Sequence, residues 1–130
     1  MQHVDFEEYK EFLKLINNES NAIIVVEGKN DRKALEFWGI KLPIVTYRGP
    51  TFAFVEYVEA KFTTMKEIIL LLDCDKEGKQ LKKQLKQAFS EKGFKVNTYF
   101  WVKLMSFGVT YVEGLISEKF LEAVKYYEMA

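Results

Sequence analysis

Ile68-Ile-Leu-Leu-Leu-Asp-Cys-Asp-Lys-Glu-Gly78 sets five apolar residues ahead of two aspartates and a glycine. An uninterrupted apolar run of this length, bounded by turn-forming residues, predicts a strand buried on both faces, as in a parallel sheet covered by helices. In the extended Asp73-Cys74-Asp75 that follows, alternate side chains share a side, so both carboxylates point one way and Cys74 the other. Two anions held together at the water-poor end of a strand repel and raise a pKa unless a cation joins them. Oxygen-only ligands suit a hard cation, and magnesium uses one or two carboxylates with water and substrate phosphate. Gly78 lets the backbone turn tightly into a helix. The plainer reading of the same residues is one aspartate capping that helix and the other a solvated loop charge.

Upstream, Ala22-Ile-Ile-Val-Val26 is a second apolar, β-branched run, ending at Glu27-Gly28. It also reads as a buried strand, and in parallel sheets ligands gather at the carboxyl ends of the strands. Glu27 therefore shares a sheet edge with Asp73 and Asp75. There it serves as a further metal ligand or as a general acid/base whose pKa its neighbours raise. Lys29 and the start of the next helix offer positive potential to a phosphate. Asn30 or Asp31 can cap that helix, which runs to about Trp38, and for Asp31 a cap is at least as good a reading as a catalytic role.

The remaining pattern alternates strands with helices. Phe6, Tyr9, Phe12, Leu13 and Ile16 predict a helix from Asp5, stopping at Asn17-Asn18. Pro43 to Tyr47 predicts a strand before the turn Gly49-Pro50, and Phe52 to Phe62 fits a helix better than a strand. Leu81, Leu85, Ala88 and Phe89 define a helix running to about Lys92 with Gly93 as its stop. Lys95 to Val102 reads as a fourth strand, with Tyr99, Phe100 and Trp101 as strand packing. Ser117 opens a last helix in which Phe120, Leu121, Val124 and Tyr127 face the core. The chain thus predicts one α/β domain over residues 1–130 with a core at about 21–116, flanked by helices at 5–17 and 117–128. Its centre is a parallel sheet of about four strands with helices on both faces.

At 130 residues the chain buries roughly two-thirds of its unfolded surface and needs no disulfide or structural metal to fold. Nineteen basic residues balance nineteen acidic ones, so any polyanion-binding face must be local. Cys74 is the only cysteine, which excludes an intramolecular disulfide and a cysteine-rich zinc site. Placed between carboxylates, it is a poor nucleophile. The first twenty residues carry five acids and no continuous apolar core, unlike a signal peptide. Neither apolar run is long enough to span a bilayer. These features lead us to expect a cytoplasmic protein without a membrane partner.

Ile23-Ile-Val-Val-Glu-Gly-Lys-Asn-Asp31 resembles the hhhhEGxxD signature of the toprim domain, shared by topoisomerases, bacterial-type primases and several nucleases. Ile69 to Gly78 resembles its hhhDxDxxG partner, and the separation of about 45 residues also suits that family. The resemblance runs from about Asn21 to Ile116 and is closest to small stand-alone toprim proteins and the toprim nuclease that trims ribosomal RNA precursors. It implies a Rossmann-like toprim fold, general acid/base chemistry at Glu27, and magnesium, replaceable by manganese, on Asp73 and Asp75. Tyr111-Val-Glu-Gly-Leu115 is similar to a KDxEGL-like segment of stand-alone relatives. Thr110-Tyr111 replaces the basic–acidic pair, whereas Glu113 remains as a supporting acid. Val112 and Leu115 read as packing residues.

Lys79, Lys82, Lys83 and Lys86 form one helix stripe that, with Lys76, can hold a phosphate backbone, although a solvated face explains the spacing as well. Gly28, Lys29, Lys76, Gly78, Lys79 and Lys83 are the expected phosphate contacts. Tyr47, Arg48 and Phe52 read first as turn and core residues, with stacking and charge toward a nucleotide as the alternative. His3 carries no assignment. The leading functional reading is a magnesium-dependent nuclease or related phosphoryl-transfer protein acting on RNA or DNA, structured RNA first. Its alternative is a non-catalytic nucleic-acid-binding or adaptor module, working with a protein partner or as a homodimer. A dehalogenase-type phosphatase ranks last, because Glu77 stands where that chemistry wants Thr or Val and Glu27-Gly28 would have no role.

Overall fold

The computed structural model describes residues 4–126. Strand β1 (Ala22–Val26) and strand β3 (Glu67–Leu70) are buried at every residue. They pair in parallel at the centre of a four-stranded sheet of order β2-β1-β3-β4. The outer strands are β2 (Ile44–Thr46) and β4 (Lys95–Asn97), both parallel to their neighbours. The expected all-parallel sheet of four strands is therefore the one observed.

Strand alternation divides the core in two. Ala22, Ile24, Val26, Ile69 and Leu71 face helices α1 (Phe6–Asn17), α2 (Lys29–Phe37), α5 (Tyr99–Ser106) and α6 (Glu118–Ala123). Ile23, Val25, Ile68, Leu70 and Leu72 face α3 (Thr51–Lys61) and α4 (Lys76–Glu91). Side chains such as Ile23, Ile24, Ile68 and Ile69 are fully buried, each contributing about 1.5–3 kcal/mol relative to exposure. That both faces are covered is the physical reason the two central strands are apolar throughout rather than alternating.

Helix α1 starts where expected, Asp5 accepting the Glu8 N–H at 3.1 Å. Tyr9 anchors its inner face, meeting Trp38, Phe107 and Phe120 edge-on. Ser117 caps α6, its hydroxyl accepting the Phe120 N–H at 3.1 Å. That helix ends at Ala123, and Lys125 adopts a left-handed conformation at φ 54°. Tyr127 and the end of the helix expected to residue 128 lie outside the described residues, as does His3.

One expected element is wrong. Residues 99–102 are not strand but the first turn of α5. The chain turns because Asn97 Oδ1 accepts the Tyr99 N–H at 2.9 Å, while Asn97 Nδ2 donates to the buried Glu67 at 2.7 Å. Phe100, Trp101 and Leu104 then fall on one helical face and are buried, leaving Tyr99 and Val102 outside. The aromatic and β-branched run looked like strand because packing, not propensity, decides such a short apolar stretch. No helix among the described residues is long and apolar enough to cross a membrane.

Candidate active site

Strand β1 continues through helix α2 to its neighbour β2, whereas β3 lies on the opposite side of β1 and leads into α4 on the other face. The carboxyl ends of β1 and β3 thus flank the switch in strand order, where open α/β sheets bind ligands. Glu27 leaves β1 and Asp73 follows the apolar run of β3. Glu27 Oε2 accepts the Asp73 N–H at 2.6 Å, which fastens the two strand ends together.

Asp73 Oδ1 accepts the Val112 N–H at 2.9 Å. Asp75 is the N-cap of α4, its Oδ1 accepting the Gly78 N–H at 2.7 Å. Asp31 is not an N-cap. Gly28 holds that place, and Asp31, one turn inside α2, accepts the Gly28 N–H at 2.9 Å and the Glu113 N–H at 3.1 Å. This satisfies an otherwise orphaned helix-end donor from the third helical position. It also buries Asp31 to 5% exposure.

The segment that supplies two of these donors was barely visible in the sequence. Residues Val112–Ile116 form a 3-10 turn packed on α2, with Val112 and Leu115 buried as expected. Cys74 N–H donates to the Thr110 carbonyl at 2.6 Å, and Trp38 Nε1 reaches the Leu115 carbonyl at 2.8 Å. Trp101 Nε1 donates to the Leu72 carbonyl at 2.6 Å, bracing the strand end immediately before Asp73. Main-chain donors leave no residue-type signal, so the sequence pointed to this turn through Glu113 and the packing residues Val112 and Leu115 but not through the N–H groups that serve the site.

Three carboxyls here are pushed above their ordinary range. For Glu27 the cause is burial first, opposed by the Asp73 N–H bond, with repulsion from Asp73, Asp75 and Asp31 adding to it. Burial also leads for Asp31, followed by the Asp73 charge. It leads for Asp73 as well, where the Val112 N–H works against the charges of Asp75 and Glu113. An acid whose folded pKa exceeds its unfolded pKa destabilises the fold once ionised, and the cost disappears below the unfolded value. In chelator, Asp73→Asn is therefore expected to be more stable than wild type near neutrality, its amide oxygen still accepting from Val112. That gap should shrink as pH falls through the raised pKa toward the ordinary 3.8. Urea midpoints across that range measure it, and a gap independent of pH would refute the assignment.

Among the described residues, no group of three His, Cys, Asp or Glu side chains is arranged to hold a metal ion as it stands. Magnesium does not require three, since one or two carboxylates with water and phosphate suffice. The donor set of Asp73 and Asp75 fits that pattern: all oxygen, two residues apart, each with one oxygen oriented by a main-chain N–H. Gly78 is buried against them, and a Cβ there would lie 1.9 Å from the Asp73 carbonyl oxygen. Gly28 opens α2, with Lys29 exposed in its first turn, and Lys76, Lys79 and Lys83 are exposed along α4. Lys82 differs from its stripe, because its ammonium sits 4.6 Å over the Trp101 ring.

A sequence model described as the Toprim domain matches residues 22–103. The chain is 33% identical over 98 residues to a UPF0292 protein of Methanocaldococcus jannaschii, covering 72% of this chain and 75% of that one. It is 31% identical over 94 residues to a UPF0292 protein of Pyrococcus abyssi, covering 71% and 69%. A solved structure of a protein from Aquifex aeolicus matches with a TM-score of 0.69 at 30% identity, covering 80% of this chain and 94% of that one.

Proposed function

This chain belongs to the Toprim domain family, and on that premise we propose that it is a magnesium-dependent nuclease or related phosphoryl-transfer protein, with structured RNA as its first substrate class. The observation that carries the reading is the tie between Glu27 and the Asp73 N–H at 2.6 Å across the ends of the two central strands. It sets a carboxyl with a raised pKa beside the Asp-x-Asp pair.

Asp73 and Asp75 would hold the magnesium, with Glu27 as the remaining candidate ligand. When bound, the cation neutralises charge developing on phosphoryl oxygens and activates a nucleophile. Glu27 accepts a main-chain N–H through Oε2 only, which leaves Oε1 to take or return a proton. Its raised pKa moves it toward the range in which a carboxyl both accepts and releases protons efficiently. Gly28, Lys29 and the N-terminus of α2 receive phosphate on one side. Lys76, Lys79 and Lys83 receive it on the other, where Gly78 keeps the start of α4 close to the aspartates. Asp31 and Glu113 support the site from beneath, Asp31 by fixing the Gly28 and Glu113 main chain.

A non-catalytic, metal-assisted binding module is the second reading. It is favoured by each inner carboxylate having a main-chain donor of its own while, among the described residues, no three such side chains converge. A cleavage assay with magnesium or manganese across single-stranded, duplex and structured RNA and DNA separates the two. The nuclease reading expects metal-dependent products that Glu27→Gln abolishes. Binding without cleavage of any of these substrates favours the adaptor.

A further inference from the structure

Away from the acidic cluster, a groove of about 700 Å³ follows the outer side of β2, a size typical of ligand sites. Pro43 and Tyr47 bond inward to β1, at 2.9 Å to the Ile24 N–H and 2.8 Å to the Val26 carbonyl. The main-chain groups of Ile44 and Thr46 therefore point outward, into the groove. Helices α2 and α3 form its walls.

Its lining among the described residues includes three cations, Arg32, Arg48 and Lys61, and no carboxylate. Arg32 is shared with Glu36 at 3.5 Å, both half-exposed. Among the described residues, Arg48 and Lys61 form no ion pair, and Lys61 Nζ donates to the Tyr57 hydroxyl at 3.0 Å. Between these charges the groove mixes the polar main chain of β2 with apolar and aromatic side chains, Phe54 buried in α3 and Tyr57 49% exposed. Cations beside an exposed aromatic ring suit an anion that also carries flat rings.

We propose that this groove holds a single-stranded segment of nucleic acid and leads it to the acidic edge. Phosphates lie on Arg48, Lys61 and Arg32, and one base rests on Tyr57. An exposed ring of this kind stacks only on an unpaired base, which selects single strand over duplex. The wall from Ala53 to Lys61 spans eight helical steps, about 12 Å, long enough for a short single-stranded segment. The Arg48 end of the groove lies on the sheet edge that carries the cluster, because Arg48 follows Tyr47, whose N–H bonds Val26, the residue before Glu27. The inference rests on the nucleic-acid reading above and adds the track of the strand.

The test is fluorescence anisotropy of a labelled single-stranded RNA of mixed sequence, in chelator so that no metal contributes. Arg48→Ala/Lys61→Ala should weaken binding at least about 10-fold and lower the salt slope by about 1.4, two phosphates at ~0.7 each. Tyr57→Ala should weaken it by about 5- to 100-fold, whereas Tyr57→Phe and Arg48→Lys keep most of it. All three positions changed are exposed in the folded chain, and matching melting temperatures would show intact folds. If both alanine variants bind as wild type does, the groove assignment is overturned and the nuclease reading stands. If wild type binds no nucleic acid at all, both fall. Self-association in sedimentation that Arg48→Ala/Lys61→Ala disrupts, with RNA binding unchanged, would overturn the proposal in favour of a protein strand on the β2 edge.

Discussion

Gly78→Ala is expected to destabilise the protein by about 3 kcal/mol and to abolish metal-dependent activity. Alanine is the better helix former by about 1 kcal/mol, and Gly78 sits in the first turn of α4, so local propensity alone predicts a gain. Packing reverses the sign. The added Cβ would fall 1.9 Å from the Asp73 carbonyl oxygen, 2.9 Å from its carbon and 3.1 Å from Asp75 Oδ1. The first two atoms are main chain at the exit of β3, where Trp101 already braces the Leu72 carbonyl. Relief would require α4 to withdraw, which breaks the Asp75 cap on the Gly78 N–H and displaces both aspartates. Urea denaturation measures the effect, and a variant more stable than wild type would contradict this close approach.

Glu27→Gln is expected to lower metal-dependent cleavage by about 10²–10⁴-fold and, in chelator near neutrality, to be no less stable than wild type, because a carboxyl raised by burial costs the fold when ionised. Glutamine keeps an oxygen to accept the Asp73 N–H, so the tie between β1 and β3 survives while the proton-transfer function is lost. Glu27→Ala is expected to behave differently. It leaves the half-buried Asp73 N–H without its acceptor and should cost about 1–3 kcal/mol in addition to activity. Single-turnover rates with saturating metal, read beside melting curves, separate the two effects. A glutamine variant that cleaves at the wild-type rate would remove Glu27 from the reaction.

The parts of the fold that the sequence announced are those where burial on two faces dictates residue type. The runs at Ala22–Val26 and Ile68–Leu72 had to be apolar throughout, and each had to end in polar residues where the sheet stops. That places Glu27 and Asp73 on one edge. Helix starts were legible where a side chain does the capping, as with Asp5 and Ser117. Asp31 misled because an acid at the third helical position and an acid at the cap answer the same unpaired N–H groups. Asp75 caps α4, which was the plainer of its two readings. Residues 99–102 failed because Asn97 redirects the chain through side-chain bonds that hydrophobic patterning does not register. Phe52 was read as turn or core yet is 72% exposed. Arg48, read first as a turn residue, lines the β2 groove. The closing turn at 112–116 acts through main-chain N–H groups, which any residue provides.

Everything proposed for the acidic edge depends on Asp73 and Asp75 binding a divalent cation. Calorimetric titration of magnesium into the protein near neutral pH tests this most directly, comparing wild type with Asp73→Asn/Asp75→Asn. Asparagine can still accept the Val112 and Gly78 N–H bonds, so the comparison removes charge rather than fold. The account predicts saturable heat for wild type and none above dilution for the double variant. Equal heats from the two proteins would contradict it.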